Sequence, residues 1–161
     1  MTEEIKIRKA EKKDFEEYFK LKLLFSKYHI NIAGRFGIPL FDIEIPKKAK
    51  EKIQFFKRIR KIKGRLFIAE FKNKSVGYMY GYISKDKYTK KEFGYIAEVY
   101  VFDKYRNKCV FNELEKKMIH FFKNKKMKHV TLFVMNKNTK THKIYEKKRY
   151  KVADFFMYKK I

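Results

Sequence analysis

The chain has 161 residues, 45% hydrophobic, 18% aromatic and 38% charged, and its 43 Lys and Arg against 18 Asp and Glu leave a formal net charge of +25. That length suits a single domain (1–161) with a real core, and the apolar content excludes a disordered chain. The lone cysteine, Cys109, excludes an internal disulfide, the four histidines show no metal-ligand spacing so no metal is expected, and no apolar run nears the ~20 residues of a membrane span.

The first residues, MTEEIKIRKAEKKDF, lack the apolar stretch of a secretory signal, so a cytoplasmic protein is expected. Ile5, Ile7 and Arg8 read as a short strand, and 10–14 as a turn. From Phe15 to Lys27, apolar residues at Phe15, Tyr18, Phe19, Leu23 and Phe25 fit one face of a helix. Residues 28–46 hold Gly34, Gly37, Pro39 and Pro46 and are expected to be irregular or a broken helix. Lys47 to Arg65 places ten Lys and Arg against one Glu, with Ile53, Phe56, Ile59 and Ile62 near helical spacing and Phe55 beside them. Two readings stand for this basic helix: a solvated surface, or a docking face for RNA or an acidic partner.

After Gly64, Arg65 to Phe71 and Val76 to Ile83 are aromatic and β-branched runs joined by a polar turn at 72–75, a hairpin signal. A third strand is expected over Phe93 to Phe102 and a cationic loop over Asp103 to Lys108. The next helix spans about Val110 to Asn124, with Val110, Phe111, Leu114, Met118, Phe121 and Phe122 on one face. His129 to Met135 reads as a strand, Asn138 to Lys148 as a short helix and Tyr150 to Lys159 as a last strand. The order, β-α-α-β-β-β-α-β-α-β, is an α/β mixed central sheet flanked by helices.

Four segments carry more than secondary structure. They are Phe67-Ile68-Ala69-Glu70 running into Val76-Gly77-Tyr78, Glu98 to Arg106 (EVYVFDKYR), Asn138-x-x-Thr141-x-x-x-Tyr145-Glu146-Lys147-x-x-Tyr150, and Phe156 to Lys160. In order and spacing they resemble the GNAT superfamily of N-acetyltransferases across about residues 4–161. The third is the most specific, similar to the family's N-x-x-A-x-x-x-Y-E-K-x-G-F. The resemblance implies a GNAT-like acyl-CoA N-acyltransferase fold, acetyl-CoA as cosubstrate, and direct attack of a primary amine on the thioester.

Thr141 stands for the family's alanine and Arg149 for its glycine, and the cofactor loop departs further. Where R-x-x-G-x-G/A is expected, the chain has Arg106-Asn107-Lys108-Cys109-Val110-Phe111. The loop must bring backbone N–H groups at a helix start close to a pyrophosphate, which glycine eases by having no side chain. A weakened or rearranged cofactor loop is expected, with Lys104, Arg106 and Lys108 offsetting it through charge-assisted contacts.

The resemblance also assigns roles. Val99, Tyr100 and Val101 would meet pantetheine through their backbone. Arg106, Asn107, Lys108, Cys109, Val110 and Phe111 would hold the pyrophosphate, and Asn138 would touch the cofactor from the other side. Tyr145 would protonate the leaving thiolate, since a phenol with pKa about 10 keeps its proton at neutral pH. Glu98 would act as base, directly or through water. Each has a plainer reading beside it. Glu98 is a cross-strand partner for a lysine, Tyr145 packs the last helix, Asn138 is an N-cap, and Cys109 fills a glycine slot. Cys109 near a helix start is also a candidate low-pKa thiol, open to a mixed disulfide with CoA.

The net charge disfavours polycationic acceptors and favours an acidic peptide, an N-terminal α-amine or a neutral amine. The same charge and the missing glycines support a rival: a degenerate GNAT-fold module binding nucleic acid or an acidic protein. A homodimer is compatible with the fold.

Overall fold

The central hairpin turns on two residues. Lys72 and Asn73 both take left-handed backbone conformations, with φ of 50° and 59°. Two consecutive positive φ values suit a two-residue hairpin turn, whose twist matches that of the flanking strands. The computed structural model describes residues 5–37, 44–106, 108–154, 157 and 159. Around this hairpin, in chain order, stand β1 (Lys6–Lys9), α1 (Phe15–Phe36), α2 (Lys48–Arg60), β2 (Gly64–Phe71), β3 (Lys74–Lys85), β4 (Glu92–Val101), α3 (Val110–Asn124), β5 (Val130–Leu132) and α4 (Thr139–Lys147).

The strands form one mixed sheet in the order β1-β2-β3-β4-β5. The first four pair antiparallel and β5 runs parallel to β4. Helices cover both faces. On one, Val110, Leu114, Met118 and Phe122 of α3 pack against Phe67, Ala69, Met79 and Ile96. On the other, Phe15, Tyr18, Leu21 and Phe25 of α1 and Phe55 of α2 cover Leu66, Ile68, Tyr78 and Tyr80. Burying each such Leu or Phe contributes about 1.5–3 kcal/mol.

Four elements differ from the sequence reading, and one of them is the strand expected over His129 to Met135, which is only Val130–Leu132. The first helix runs on to Phe36 instead of ending near Lys27, because Ala33 still finds a buried place and Gly37, at φ 62°, supplies the left-handed cap. In α2 the buried apolar residue is Phe55, wedged 4.9 Å from Tyr18 and 5.6 Å from Phe15 between ring centroids. Ile53 and Ile62, read at near-helical spacing, are 57% and 80% exposed, and Ile62 lies past the end of α2. Finally, 151–154 form no strand; residues 155, 156 and 158 of the expected last strand lie outside the described residues.

One irregularity positions the site. The pairing of β3 with β4 shifts between Tyr80 and Gly81, so Tyr80 faces Glu98 but Gly81 faces Ile96, leaving Ala97 as a bulge on β4. Before the bulge, Ile96 packs in the α3-side core. Strict alternation would put Glu98 on that same apolar face. The bulge turns it to the opposite face, with Tyr100, while Val99 and Val101 face α3.

Candidate active site

β4 and β5 pair over Gly94 to Ile96 and then part. The gap between Ala97–Val101 and Phe133–Met135 opens into a cavity of about 630 Å³, walled by α1, α4 and the start of α3. Phe102 N–H bonds Val76 O at 2.9 Å, on the β3 side. By the antiparallel alternation Tyr100 N–H faces β3 too, and the N–H groups of Val99 and Val101 face the gap. The expected backbone contacts of this strand therefore narrow to Val99 and Val101, because the Tyr100 amide belongs to the sheet.

Glu98 faces the cavity from a nearly closed set of partners. Arg58 grips it with two bonds, Nη2 to Oε1 at 2.8 Å and Nη1 to Oε2 at 3.1 Å. Lys22 Nζ sits 2.8 Å from Oε1, and Tyr78 donates its hydroxyl to Oε2 at 3.1 Å. Arg58 also donates to Tyr18 Oη at 2.6 Å, and Tyr18 donates to Glu51 Oε1 at 2.8 Å. Burial opposes ionisation of Glu98, but the charges and hydrogen bonds of Arg58 and Lys22 outweigh it and hold the carboxyl below the usual range. The cationic partners come from α2 and α1, not from a neighbouring strand as the plainer reading had it; the neighbouring strand β3 supplies only the Tyr78 hydroxyl.

The cationic loop ends at Cys109, whose backbone is left-handed, φ 59° and ψ 3°. The chain thus takes the shape a glycine would take, at a cost of roughly 1–2 kcal/mol for an L side chain. No side chain caps α3 among the described residues. The amides of its first turn, from Val110 to Asn112, border the cavity and are available to an anion. Arg106 reaches back to Val101 O with Nε at 3.1 Å, pairs with Asp103 at 2.7 Å and lies over the rings of Tyr28 and Tyr100. Lys108 does not line the cavity; its ammonium lies 5.5 Å from the Tyr105 ring centre. Asn107 lies outside the described residues.

From the far side come Asn138 and Tyr145. Asn138 stands at the N-cap of α4 but its side chain makes no capping bond; it is buried, with Oδ1 3.4 Å from Tyr28 Oη. Tyr145 packs edge-on against Phe111 and Tyr150, at 5.6 and 5.2 Å between centroids. Burial, with the nearby Glu115, raises its pKa and keeps the phenol protonated. Glu98, Val99, Tyr100, Val101, Arg106, Cys109, Val110, Phe111, Asn138 and Tyr145 therefore line one cavity. Sequence reasoning missed Tyr28, His29, Lys22 and Arg58. Tyr28 and His29 sit beyond the point where it ended the helix, Lys22 was read within that helix for its stem alone, and Arg58 looked like one more solvated cation. Such an arrangement offers outward strand amides to an extended ligand, a helix start to an anion and a phenol as proton donor. Among the described residues no helix is long and apolar enough to cross a membrane, and no cluster of His, Cys, Asp or Glu could hold a metal.

The family model for the Acetyltransferase (GNAT) family matches residues 35–149. No curated protein sequence matches the chain. Among solved structures, a mutant of the BH1408 protein from Bacillus halodurans is similar at TM-score 0.84 and 15% identity, covering 97% of this chain and 99% of that one. An aminoglycoside N-acetyltransferase, AAC(6')-Iy, in complex with CoA is similar at 0.79 and 13%, covering 98% and 95%. The aminoglycoside 6'-N-acetyltransferase AAC(6')-Ih from Acinetobacter baumannii is similar at 0.76 and 10%, covering 98% of each chain. At these identities the likeness is one of fold.

Proposed function

As the chain belongs to the GNAT family of acetyltransferases, we propose that it transfers an acetyl group from acetyl-CoA to a primary amine on a neutral or acidic molecule. The observation that carries this is the single cavity shared by the outward amides of Val99 and Val101, the uncapped start of α3 and Tyr145.

The residues present fit acetyl-CoA. Val99 and Val101 would hold its extended arm by backbone hydrogen bonds, and the amides of Val110, Phe111 and Asn112 its diphosphate, with Arg106 adding charge. The left-handed Cys109 supports this fit, since the loop keeps the backbone shape of a glycine despite its side chain. When bound, acetyl-CoA supplies an acetyl group activated as a thioester. Tyr145 keeps its proton and is placed to give it to the leaving sulfur. A gap-facing strand amide stabilises negative charge that develops on the carbonyl oxygen.

The acceptor class follows from charge. Glu98 is the acid in the cavity wall, and Arg58 and Lys22 already balance it. Arg106 and Lys140 add positive charge around it. Among the described residues a polycation such as an aminoglycoside finds no uncompensated carboxylate there, whereas an acidic peptide with a free α-amine does not meet repulsion.

Calorimetric titration with acetyl-CoA, followed by thiol release with an acidic peptide bearing a free α-amine, with neamine and with spermine, tests the reading. Saturable one-site binding and fastest release with the peptide are expected. Absence of acetyl-CoA binding overturns it.

A second reading, a module that binds nucleic acid, has its own observation. A groove of about 1140 Å³ at the other end of α3 and α4 is lined by Lys116, Lys123, Lys128, Lys147, Lys148, Arg149 and Lys151, with Glu115 as its acid. The stretch 47–65 is the weaker candidate, because Lys48, Arg58 and Lys63 are taken up by Glu16, Glu98 and Glu92. Salt-dependent retention on RNA without acetyl-CoA binding would favour this reading.

A further inference from the structure

We propose that His29 is the general base of the transfer, taking the acceptor's proton at Nε2; this rests on the acetyltransferase reading above. No sequence motif points to this residue. It lies on α1, partly buried, in the wall of the cavity that also holds Glu98, Asn138 and Tyr145.

The hydrogen bond at the other ring nitrogen decides which atom can act. His29 Nδ1 is 2.9 Å from Phe25 O. A carbonyl oxygen only accepts, so Nδ1 carries the hydrogen and Nε2 carries the lone pair. Nε2 makes no hydrogen bond within the described residues, and it is not among their fully buried polar atoms without partners, which are His142 Nε2 and Tyr150 Oη. Nε2 is therefore not sealed in the core, and its residue lines the cavity. The ring is fixed by Phe25 and Tyr28, 4.2 and 5.5 Å away between centroids.

Charge state agrees with geometry. Burial disfavours the imidazolium and Lys22 on the same helix adds to this; the bond to Phe25 O and the charge of Glu98 on β4 act the other way, and the net effect lowers the pKa. His29 is neutral at neutral pH and ready to accept. Glu98 is unsuited to the task, because Arg58, Lys22 and Tyr78 occupy both of its oxygens and keep it a weak base.

The step balances as follows. The acceptor ammonium gives one proton to Nε2. Its nitrogen lone pair then forms the C–N bond to the acetyl carbon as the C–S bond breaks, leaving that electron pair on sulfur. Tyr145 protonates the sulfur, and the second proton lost by nitrogen restores the phenol. His29 releases its proton to solvent, so the products are an amide, a thiol and one proton.

The test is His29→Gln, whose amide can still donate to Phe25 O, with an acidic peptide bearing a free α-amine as acceptor. We expect kcat to fall about 100- to 10,000-fold while acetyl-CoA affinity and KM stay near wild type. The wild-type fall in kcat/KM on the acid side should vanish, leaving the acceptor's own ionisation. In His29→Gly, added imidazole should restore turnover. A wild type with turnover and a His29→Gln variant of equal kcat and unchanged pH profile overturns His29 alone. A wild type that binds acetyl-CoA but turns over no amine overturns both proposals.

Discussion

Arg58 on α2 and Glu98 on β4 face each other in parallel, guanidinium to carboxylate, with bonds of 2.8 and 3.1 Å. Each is well buried, with side chains 17% and 12% exposed. Their pairing pins the basic helix to the strand that forms the cavity wall. Replacing Arg58 with Met leaves Glu98 with Lys22 as its cation and strips Tyr18 Oη of its donor. Removing one member of a buried pair typically costs about 3–5 kcal/mol. We expect Arg58→Met to lower urea-unfolding stability by about 3 kcal/mol, and Arg58→Lys to recover part of it, a lysine lacking the two-pronged fit.

Glu98 also sets an acid limb of stability. Its folded pKa is lowered, so the unfolded chain binds more protons as pH falls. The stabilisation is complete above the unfolded value near 4.5 and is lost as pH falls through the folded value. Asp14, whose burial is outweighed by its hydrogen bonds to Arg8, acts in the same direction. Glu98→Gln should lower stability at pH 7, by leaving Arg58 and Lys22 without their counter-charge, and should flatten the curve below about pH 4.5. Chemical denaturation between pH 3 and 7 reads both effects.

Cys109 holds a glycine conformation without being glycine. Since its side chain makes no capping bond, Cys109→Gly removes the left-handed penalty and sacrifices no contact at that cap. A gain of roughly 1 kcal/mol in stability is expected. Acetyl-CoA should bind at least as tightly as to wild type, which calorimetry measures. Weaker binding would mean that the thiol itself contributes to the site.

Tyr145 separates packing from chemistry. Its ring is held by Phe111 and Tyr150, whereas its hydroxyl makes no hydrogen bond within the described residues. Tyr145→Phe should keep its melting temperature and its acetyl-CoA affinity while kcat drops about 100-fold or more, as expected for loss of a general acid. Thiol release under saturating acetyl-CoA follows this directly.

Gly94 marks how tightly α3 sits on the sheet. A Cβ there would stand 2.6 to 2.8 Å from the Phe122 ring, which is fully buried. Gly94→Ala should cost about 1–3 kcal/mol through overpacking. The paired change Gly94→Ala, Phe122→Leu should return part of that loss in thermal unfolding.

The sequence by itself determined what local chemistry decides. A polar turn between two β-branched runs marked the hairpin that Lys72 and Asn73 close. The 3.6-residue period after Cys109 marked α3 from Val110 to Asn124, as observed. The spacing of Asn138, Thr141 and Tyr145 brought all three into one cavity wall, as one helix must. Tertiary structure decided the rest, because the forces involved join residues far apart in the chain. Whether Glu98 faces α3 or α1 depends on one bulge at Ala97, which comes from sheet register and has no mark in the local sequence. Arg58 reads as another cation in a basic stretch until a carboxylate forty positions away draws it inward. His29 became a candidate base only when α1 ran past Lys27 and set it in the wall of the gap that β4 and β5 leave by parting.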